Sequence, residues 1–368
     1  DGACRIRDLP ARIREMGQTA VAITDHGVMY GAIDFYRACK AEGIHPIIGC
    51  EVYVARRTRF DKIHEYDAES RHLVLLCKNE TGYRNLSYMV SQAFVEGFYI
   101  KPRIDLDLLR QHSEGLIALS ACLAGEIPKR LVNGDYDGAK EYALTMQEIF
   151  GEDNFYLELQ DHGIPQQTLV NRDLLRIHQE TGIPLVCTND AHYLRPEDAE
   201  SHDVLLCIQT GKTVDDENRM RYEGGQYYCK SEEEMRALFP YAQEAIDNTH
   251  KIAERCNVEI EFGVTKLPHF EVPEGYDSWS YLNKLCFDGL KERYPQNHTE
   301  LEDRLNYELG VIKEMGYVDY FLIVWDFIHY AREHDISVGP GRGSAAGSLV
   351  SYTCLLYTSP SPRDTERS

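Results

Sequence analysis

The stretch Ile23-Thr24-Asp25-His26-Gly27 ends an apolar strand in a carboxylate, an imidazole and a glycine turn. The pattern returns at Leu185-Val186-Cys187-Thr188-Asn189-Asp190-Ala191-His192, where an apolar run is again followed by Asp and His. Asp and His at a strand end can bind a metal ion or exchange protons. The two stretches therefore predict one domain, bracketed by strand ends that carry the chemistry.

Apolar strands alternate with segments of helical spacing around and between these two stretches. The first helices are predicted at residues 5–16 and 31–42, each closed by a glycine, with the next strand at 46–54. This alternation predicts a parallel sheet with right-handed crossovers. About six strand–helix units precede residue 200, which favours an irregular barrel or one short of eight strands. In such barrels the chemistry lies at the carboxyl ends of the strands.

The candidate metal ligands share this position at strand boundaries. They are Asp25, His26, Glu51, His72, Cys122, Asp190 and His192. Mixed nitrogen, oxygen and sulfur donors suit zinc, alone or together with manganese, and bridging carboxylates suit a hydrolase with two or three ions. Each residue alone has a plain structural explanation, such as a cap, a loop residue or, for Cys122, a small core residue. The shared context is what favours a metal site.

Three basic residues lie close in sequence to the predicted barrel mouth, namely Lys101, Arg103 and Arg195. They are candidate phosphate contacts, with solvated surface charge as the alternative. His162 follows the strand predicted at 155–160 and is either a substrate contact or an exposed loop histidine.

Length and charge limit the classes of function. The 368 residues fit one full domain and a partial one. Lys and Arg total 39 against 60 Asp and Glu, a net charge of -21, so the chain lacks the basic surface that grips a phosphate backbone. Any contact with nucleic acid must be local or be made by protein outside this chain.

Eleven cysteines without a CxxC motif indicate reduced thiols. With no membrane-length apolar run and no signal peptide, we expect a cytoplasmic location and no membrane partner.

A second domain is predicted after the Pro-containing stretch at 267–273. Its most informative segment is 339–348, in which three glycines surround Arg342 before a predicted helix start. The segment is neither a Walker loop nor a dinucleotide fingerprint. Backbone N–H groups in such a turn can bind phosphate oxygens, and a flexible glycine turn is the alternative.

These motifs resemble the polymerase-and-histidinol-phosphatase (PHP) domain that opens the alpha-subunit family of bacterial DNA polymerase III. The residues that carry the resemblance are ITDHG (23–27), GCE (49–51), RHLV (71–74), LSACLAGE (119–126), TNDAHY (188–193), GYVDYFLI (316–323) and VGPGRGS (338–344). The first five belong to the PHP domain and the last two to the start of the family's palm domain. Because motifs of both domains occur in the family's order, the resemblance covers residues 1 to about 352.

The resemblance implies an α/β fold, with a distorted (β/α)7 PHP barrel at 1–265 and the beginning of an α+β palm domain at 266–352. The barrel is expected to lack its first strand and the family's His-x-His, which would precede Asp1. Residues 353–368 are polar and unlike the family, and we expect a disordered or artefactual tail. The family's metal ligands fall on the seven candidates named above. Contacts to the incoming nucleotide triphosphate fall on Gly341, Arg342, Gly343 and Ser344.

The function implied is that of a piece of the DNA-synthesising subunit of the bacterial replicative polymerase, whose PHP domain has 3'-5' exonuclease or phosphohydrolase activity in some members. Implied cofactors are Zn²⁺ or Mn²⁺ in the PHP site and Mg²⁺ for polymerisation. Implied partners are DNA primer-template, dNTPs, the sliding clamp and the proofreading subunit. No Asp-x-Asp occurs in the second domain, so the carboxylates that catalyse polymerisation are expected to be missing from this chain. A stand-alone PHP phosphoesterase and a non-catalytic PHP scaffold are the alternatives.

Overall fold

Seven described strands of the first unit, Asp1–Ile260, form one sheet. The structure is a computed structural model that describes residues 2–264, 266–339 and 347–354. The strands are β1 Ala20–Ile23, β2 His45–Ala55, β3 Ser70–Cys77, β4 Arg103–Ile104, β5 Leu116–Leu119, β6 Phe155–Leu159 and β7 Leu185–Cys187. Their order in the sheet is β1-β2-β3-β5-β6-β7, and β4 pairs with β2.

Helices follow the strands around this sheet, and several start at an Asn or Asp cap. The side chains of Asn79, Asp105 and Asp135 each accept a backbone N–H in the first turn of a helix, which satisfies a donor that the helix itself leaves unpaired. The helices of the first unit are α1 Leu9–Glu15, α2 Ala32–Glu42, α3 His64–Asp67, α4 Glu80–Val95, α5 Leu106–His112, α6 Glu126–Val132, α7 Tyr136–Phe150, α8 Pro165–Thr181, α9 Ala199–Thr210, α10 Glu232–Leu238 and α11 Gln243–Arg255.

The sheet is mixed, so the expectation of a parallel sheet is wrong for β3. This strand runs antiparallel to β2 and to β5, whereas β1–β2, β5–β6 and β6–β7 are parallel. A parallel neighbour needs a crossover of about a dozen residues or more, usually through a helix. Between β2 and β3 the chain forms only the four-residue helix α3, and the strand returns beside β2 in the opposite direction.

The interior of the barrel is apolar at one end and polar at the other. Ile47, Val74 and Leu119 line the apolar part and pack with Ile252 of α11. Side chains alternate between the two faces of a strand, so Glu51 in β2 faces the same side as Ile47. The interior face of β2 therefore turns from apolar to acidic towards the carboxyl end of the strand.

The described part of the second unit, Glu261–Ser368, consists of four helices. They are α12 Ser278–Arg293, α13 His298–Glu314, α14 Val318–Glu333 and α15 Leu349–Thr353. Leu282, Leu305 and Leu322 belong to its core. Gly289 allows α15 to approach α12, since a Cβ at this position would stand 1.9 Å from the carbonyl oxygen of Thr353. Among the helices described in either unit, none has the length and apolar character needed to span a bilayer.

Candidate metal centre

The turn after β1 extends the pairing of β1 with β2 and brings His26 beside Glu51. The Glu51 N–H donates to the Asp25 carbonyl oxygen over 3.0 Å, and the Gly27 N–H donates to the Glu51 carbonyl oxygen over 2.9 Å. Gly27 has a φ of +66°, and a Cβ there would lie 3.0 Å from the ring of Tyr53. Both the backbone conformation and the space therefore require glycine at the turn.

Glu51 lies between two imidazoles. Its carboxylate is hydrogen-bonded to Nδ1 of His72 and lies 3.8 Å from Nδ1 of His26. One donor atom from each of the three residues falls within 4.8 Å of the others. Two nitrogens and a carboxylate oxygen at this spacing can bind one ion, because bonds from zinc to such donors are about 2 Å long. Of the residues that the structure describes, these three form the group that fits a metal.

Cys122 lies at the edge of this group. Its Sγ is 3.7 Å from Nδ1 of His72 and 4.0 Å from a carboxylate oxygen of Glu51. The residue follows β5, whose carboxyl end reaches the interior face where Glu51 and His72 lie. A fourth donor of this kind is compatible with tetrahedral zinc.

Asp190 and His192 approach the group from the end of β7. The ring centroids of His192 and His26 are 6.4 Å apart, and Nδ1 of His192 is 3.8 Å from a carboxylate oxygen of Asp190. Burial raises the pKa of Asp190 to about 6, and the negative charge of Glu51 contributes in the same direction. A cation between the two carboxylates would offset this repulsion.

The pKa values of the other candidate ligands also depend on burial and on the charges of their neighbours. Burial raises the pKa of Glu51, but the His72 hydrogen bond and the nearby imidazoles outweigh burial and hold it below its ordinary value. Burial lowers the pKa of His26, which favours the neutral imidazole that binds metals. Burial and the charge of Glu51 raise the pKa of the Cys122 thiol well above its usual range. A bound cation would favour the thiolate.

Asp25 takes a different direction from its neighbour His26. Its carboxylate is not part of the group formed by His26, Glu51 and His72. A carboxylate oxygen of Asp25 lies 3.4 Å from the position of a Cβ on Gly31, at the start of α2. Its carbonyl oxygen, by contrast, accepts the Glu51 N–H. In the described structure Asp25 therefore supports the turn, and its predicted role as a ligand stays a prediction.

The three candidate phosphate contacts occupy different environments. Lys101 is exposed, with Nζ 5.3 Å from the centroid of the Tyr53 ring, whose other neighbours are His26 and His72. Arg195 is half-exposed and donates to the carboxylate of Glu15 over 2.8 Å. Lys101 is the basic side chain of the three that lies beside an aromatic ring of the metal centre.

The position of Arg103 contradicts the prediction that it contacts a phosphate. Only 1% of it is exposed, and its guanidinium donates to the carbonyl oxygens of Gly97, Asp67, Arg59 and Asp61. Since four of its five N–H groups bind the backbone, the side chain ties loops together and does not face the metal centre. The tripeptide at 101–103 gave no indication that its second basic residue points inward.

Aromatic side chains around the centre were missed by sequence reasoning. The Tyr53 ring stacks on that of His26 at 6.0 Å and meets the His72 ring edge-on at 5.2 Å. Tyr222 lies 4.5 Å from the ring of His192 and 4.7 Å from that of Tyr227. The period of two that places Tyr53 on the face of Glu51 was a usable signal. The polar sequence around Tyr222 carried none.

His162 is buried and is not the exposed loop residue that sequence allowed. Its ring stacks on that of Tyr227 at 3.9 Å. Nε2 is hydrogen-bonded to the Asn189 carbonyl oxygen over 2.8 Å, and Nδ1 to the side-chain amide of Gln167 over 2.8 Å. Both ring nitrogens therefore have partners in the protein, so the ring supports the turn before Asp190.

We expect the first unit to lose stability as the pH falls from about 6.5 to 4, partly because of His162. Burial lowers the pKa of His162 to about 4, so the unfolded chain binds a proton in this range that the folded chain does not. Between pH 7 and 4.5 the loss amounts to about 2 kcal/mol for this group. Urea unfolding at pH 7 and 4.5 measures it. In His162→Gln the drop should be smaller by that amount, and an equal drop in both proteins would contradict the assignment.

The predicted triphosphate contacts Gly341, Arg342, Gly343 and Ser344 lie outside the described residues and stay predictions.

Two family models match the chain. The PHP domain model matches residues 1–162, and the model of the bacterial DNA polymerase III alpha NTPase domain matches residues 280–361. The PHP match confirms the expected fold class, a distorted α/β barrel of the PHP type.

Curated relatives match nearly the whole chain. The DNA polymerase III subunit alpha of Treponema pallidum (strain Nichols) is 48% identical over 358 residues, which cover 97% of this chain and 31% of that protein. The subunit of Thermus aquaticus is 42% identical over 416 residues, which cover 96% of this chain and 34% of that protein. The chain thus spans about a third of the length of these relatives.

Proposed function

Because the chain belongs to the family of the bacterial DNA polymerase III alpha subunit, we propose that its first unit is a metal-dependent PHP domain that hydrolyses phosphoesters. The substrate is the 3' end of a single-stranded DNA, and the reaction is 3'-5' exonucleolytic cleavage. The observation that supports the proposal most strongly is the position of Glu51 between His26 and His72, with Cys122 at the edge.

The proposed ligands are His26, Glu51, His72, Cys122, Asp190 and His192, with Asp25 retained from its position at a strand end and from the family resemblance. A bound Zn²⁺ or Mn²⁺ would activate water and stabilise charge on a phosphoryl group. The half-buried imidazoles of His26 and His72 and the half-buried Cys122 thiol would hold the cation beside the buried carboxylate of Glu51. Glu51 supplies the negative charge that offsets the ion.

Basic and aromatic side chains give the site its preference for an oligonucleotide end. Lys101 extends an exposed ammonium beside Tyr53 and is proposed to hold a phosphate of the substrate. Arg195 is a second candidate for this role, although it must exchange its ion pair with Glu15 for the phosphate. With a net charge of -21, the chain relies on such local contacts to bind DNA.

We further propose that the complete protein catalyses template-directed nucleotidyl transfer in DNA replication. Residues 1–265 would be the PHP barrel and 266–352 the start of the palm domain. Gly341, Arg342, Gly343 and Ser344 would contact the nucleotide triphosphate, with Mg²⁺ as the cofactor of polymerisation. DNA primer-template, dNTPs, the sliding clamp and the proofreading subunit are the proposed partners, in the cytoplasm.

The test is metal content measured together with 3'-5' degradation of single-stranded DNA. We expect EDTA to abolish metal content and DNA degradation together, and Mn²⁺ or Zn²⁺ to restore both. Hydrolysis requires the ion, because the ion activates water and stabilises the phosphoryl charge. Asp190→Asn should lower metal content and hydrolysis together.

Glu233→Gln on the exposed face of α10 is the matched control and should change neither quantity. Full metal content without hydrolysis would reject the catalytic function in favour of a structural PHP domain.

A further inference from the structure

Glu158 is a buried carboxylate that links two of the strand ends at the metal centre. It lies in β6, between β5 and β7, and only 5% of it is exposed. One of its carboxylate oxygens accepts the backbone N–H of Ala121 over 2.8 Å. The other is hydrogen-bonded to the Thr188 hydroxyl and accepts from the side-chain amide of Gln160 over 3.1 Å. A single side chain thus bonds to the turn before Cys122 and to the turn before Asp190.

Both of these turns contain a non-glycine residue with a positive φ. Ala121 has a φ of +63° and Asp190 a φ of +45°. Residues with a Cβ seldom adopt this conformation, which costs roughly 1 to 3 kcal/mol and persists where surrounding contacts hold it. The Glu158 carboxylate supplies such a contact to Ala121 itself, and through Thr188 to the turn that contains Asp190.

We propose that Glu158 is a positioning residue of the metal centre, which fixes Cys122 and Asp190 relative to Glu51 and His72. It acts through its hydrogen bonds to the Ala121 N–H and the Thr188 hydroxyl, and it contributes no donor atom to the ion. This inference rests on the proposed metal site.

The β7 turn also has contacts that do not involve Glu158. Asn189 donates through its side-chain amide to the carbonyl oxygens of Gln226 and Tyr228, at 2.9 and 2.7 Å. These bonds hold the β7 turn against the segment before α10, and they do not reach β5. Backbone hydrogen bonds also tie each turn to β6, from the Ser120 N–H to the Tyr156 carbonyl oxygen and from the Thr188 N–H to the Leu159 carbonyl oxygen. The Glu158 carboxylate adds one side chain that bonds to both turns at once.

A carboxylate is a costly way to fill a buried position. Burial raises the pKa of Glu158 to about 7, and the charges of Asp190 and Glu51 act in the same direction. Residues that lower stability in this way are found mainly at functional sites. The position therefore has a requirement beyond packing, and the geometry of the two ligand turns provides one.

The test measures Mn²⁺ affinity from the free Mn²⁺ signal in electron paramagnetic resonance, beside urea unfolding in EDTA. Glu158→Ala is expected to weaken Mn²⁺ binding by about tenfold or more. Substitution of a residue that orients metal ligands typically lowers metal affinity about 10- to 100-fold. Thr188→Val removes one of the two links and should weaken binding by a smaller factor. Wild-type affinity in the folded Glu158→Ala protein, or in Thr188→Val if Glu158→Ala does not fold, would overturn the proposal.

Glu158→Gln separates position from charge. Its amide oxygen can still accept the Ala121 N–H, and its NH₂ can donate to the Thr188 hydroxyl. Oε1 of Gln160 has no hydrogen-bond partner among the described residues, so rotation of that amide gives the second hydrogen an acceptor. We expect Mn²⁺ affinity within about threefold of the wild type. A loss as large as in Glu158→Ala would show that charge acts instead of position, and would refute the inference.

Asp67→Asn is the control for a merely structural effect. Asp67 is also a buried carboxylate, and it pairs with Arg57 outside the metal centre. It should lower the urea midpoint and leave Mn²⁺ affinity unchanged, whereas Glu158→Ala should change affinity. A parallel fall in Asp67→Asn would count against the proposal. If the wild-type chain bound no Mn²⁺, the proposed function would fail before Glu158 is tested.

Discussion

Replacing Glu51 by Gln is expected to weaken divalent-metal binding to the first unit by roughly a hundredfold or more, and to stop phosphoester hydrolysis with it. The carboxylate lies between His26 and His72, so the change removes the charge that offsets a cation at the centre of the group. The amide is nearly the same size, and the barrel around it should keep its packing. Metal content after dialysis and the rate of 3'-5' degradation measure the two effects.

Two further variants make this result specific. Glu233→Gln makes the same chemical change on the exposed surface of α10 and should retain metal and activity. His72→Ala should lose metal as Glu51→Gln does, because the imidazole is the partner of Glu51. Glu51→Gln with normal metal content would show that the ion, if bound, lies elsewhere, and the proposed centre would have to be abandoned.

Arg103→Ala is expected to lower the free energy of unfolding of the first unit by about 4 kcal/mol. The guanidinium binds four backbone carbonyl oxygens, and its removal leaves buried acceptors without donors. Arg103→Lys should cost about half as much, since an ammonium has three donors and cannot reproduce the planar fork. Urea unfolding in EDTA measures both changes without any contribution from bound metal.

Lys101 provides the comparison, because it lies two positions away and is exposed. Lys101→Ala should leave the free energy of unfolding within about 0.5 kcal/mol of the wild type. If Lys101 holds a substrate phosphate, this variant should instead raise KM for single-stranded DNA. A stable Arg103→Ala protein with a raised KM would reverse the two assignments.

Local sequence determined most of the elements and many of the candidate ligands. The helix predicted at 31–42 is α2, Ala32–Glu42, because apolar spacing and the closing glycine Gly43 act within a single helix. His26 follows β1 as predicted, whereas Glu51 lies inside β2 and not at its end. The two residues meet because the turn after β1 extends the parallel pairing of β1 with β2.

The direction of β3, the inward orientation of Arg103 and the exclusion of the Asp25 carboxylate from the group of His26, Glu51 and His72 depend on tertiary contacts. These features depend on which distant groups lie opposite a residue. The sequence suggests a surface cation at Arg103, but in the fold its guanidinium donates to the carbonyl oxygens of Arg59 and Asp61.

The same limit applies to Glu158, which sequence reasoning did not single out. A Glu in an apolar strand gives no sign that it bonds to Ala121 and Thr188, which are 37 and 30 positions away. Spacing along the chain reports local periodicity, whereas hydrogen bonds between strands depend on register and on the turns that follow. Local periodicity therefore predicted the kind of barrel, and the folded structure showed which distant side chains contact the turns that carry the candidate ligands.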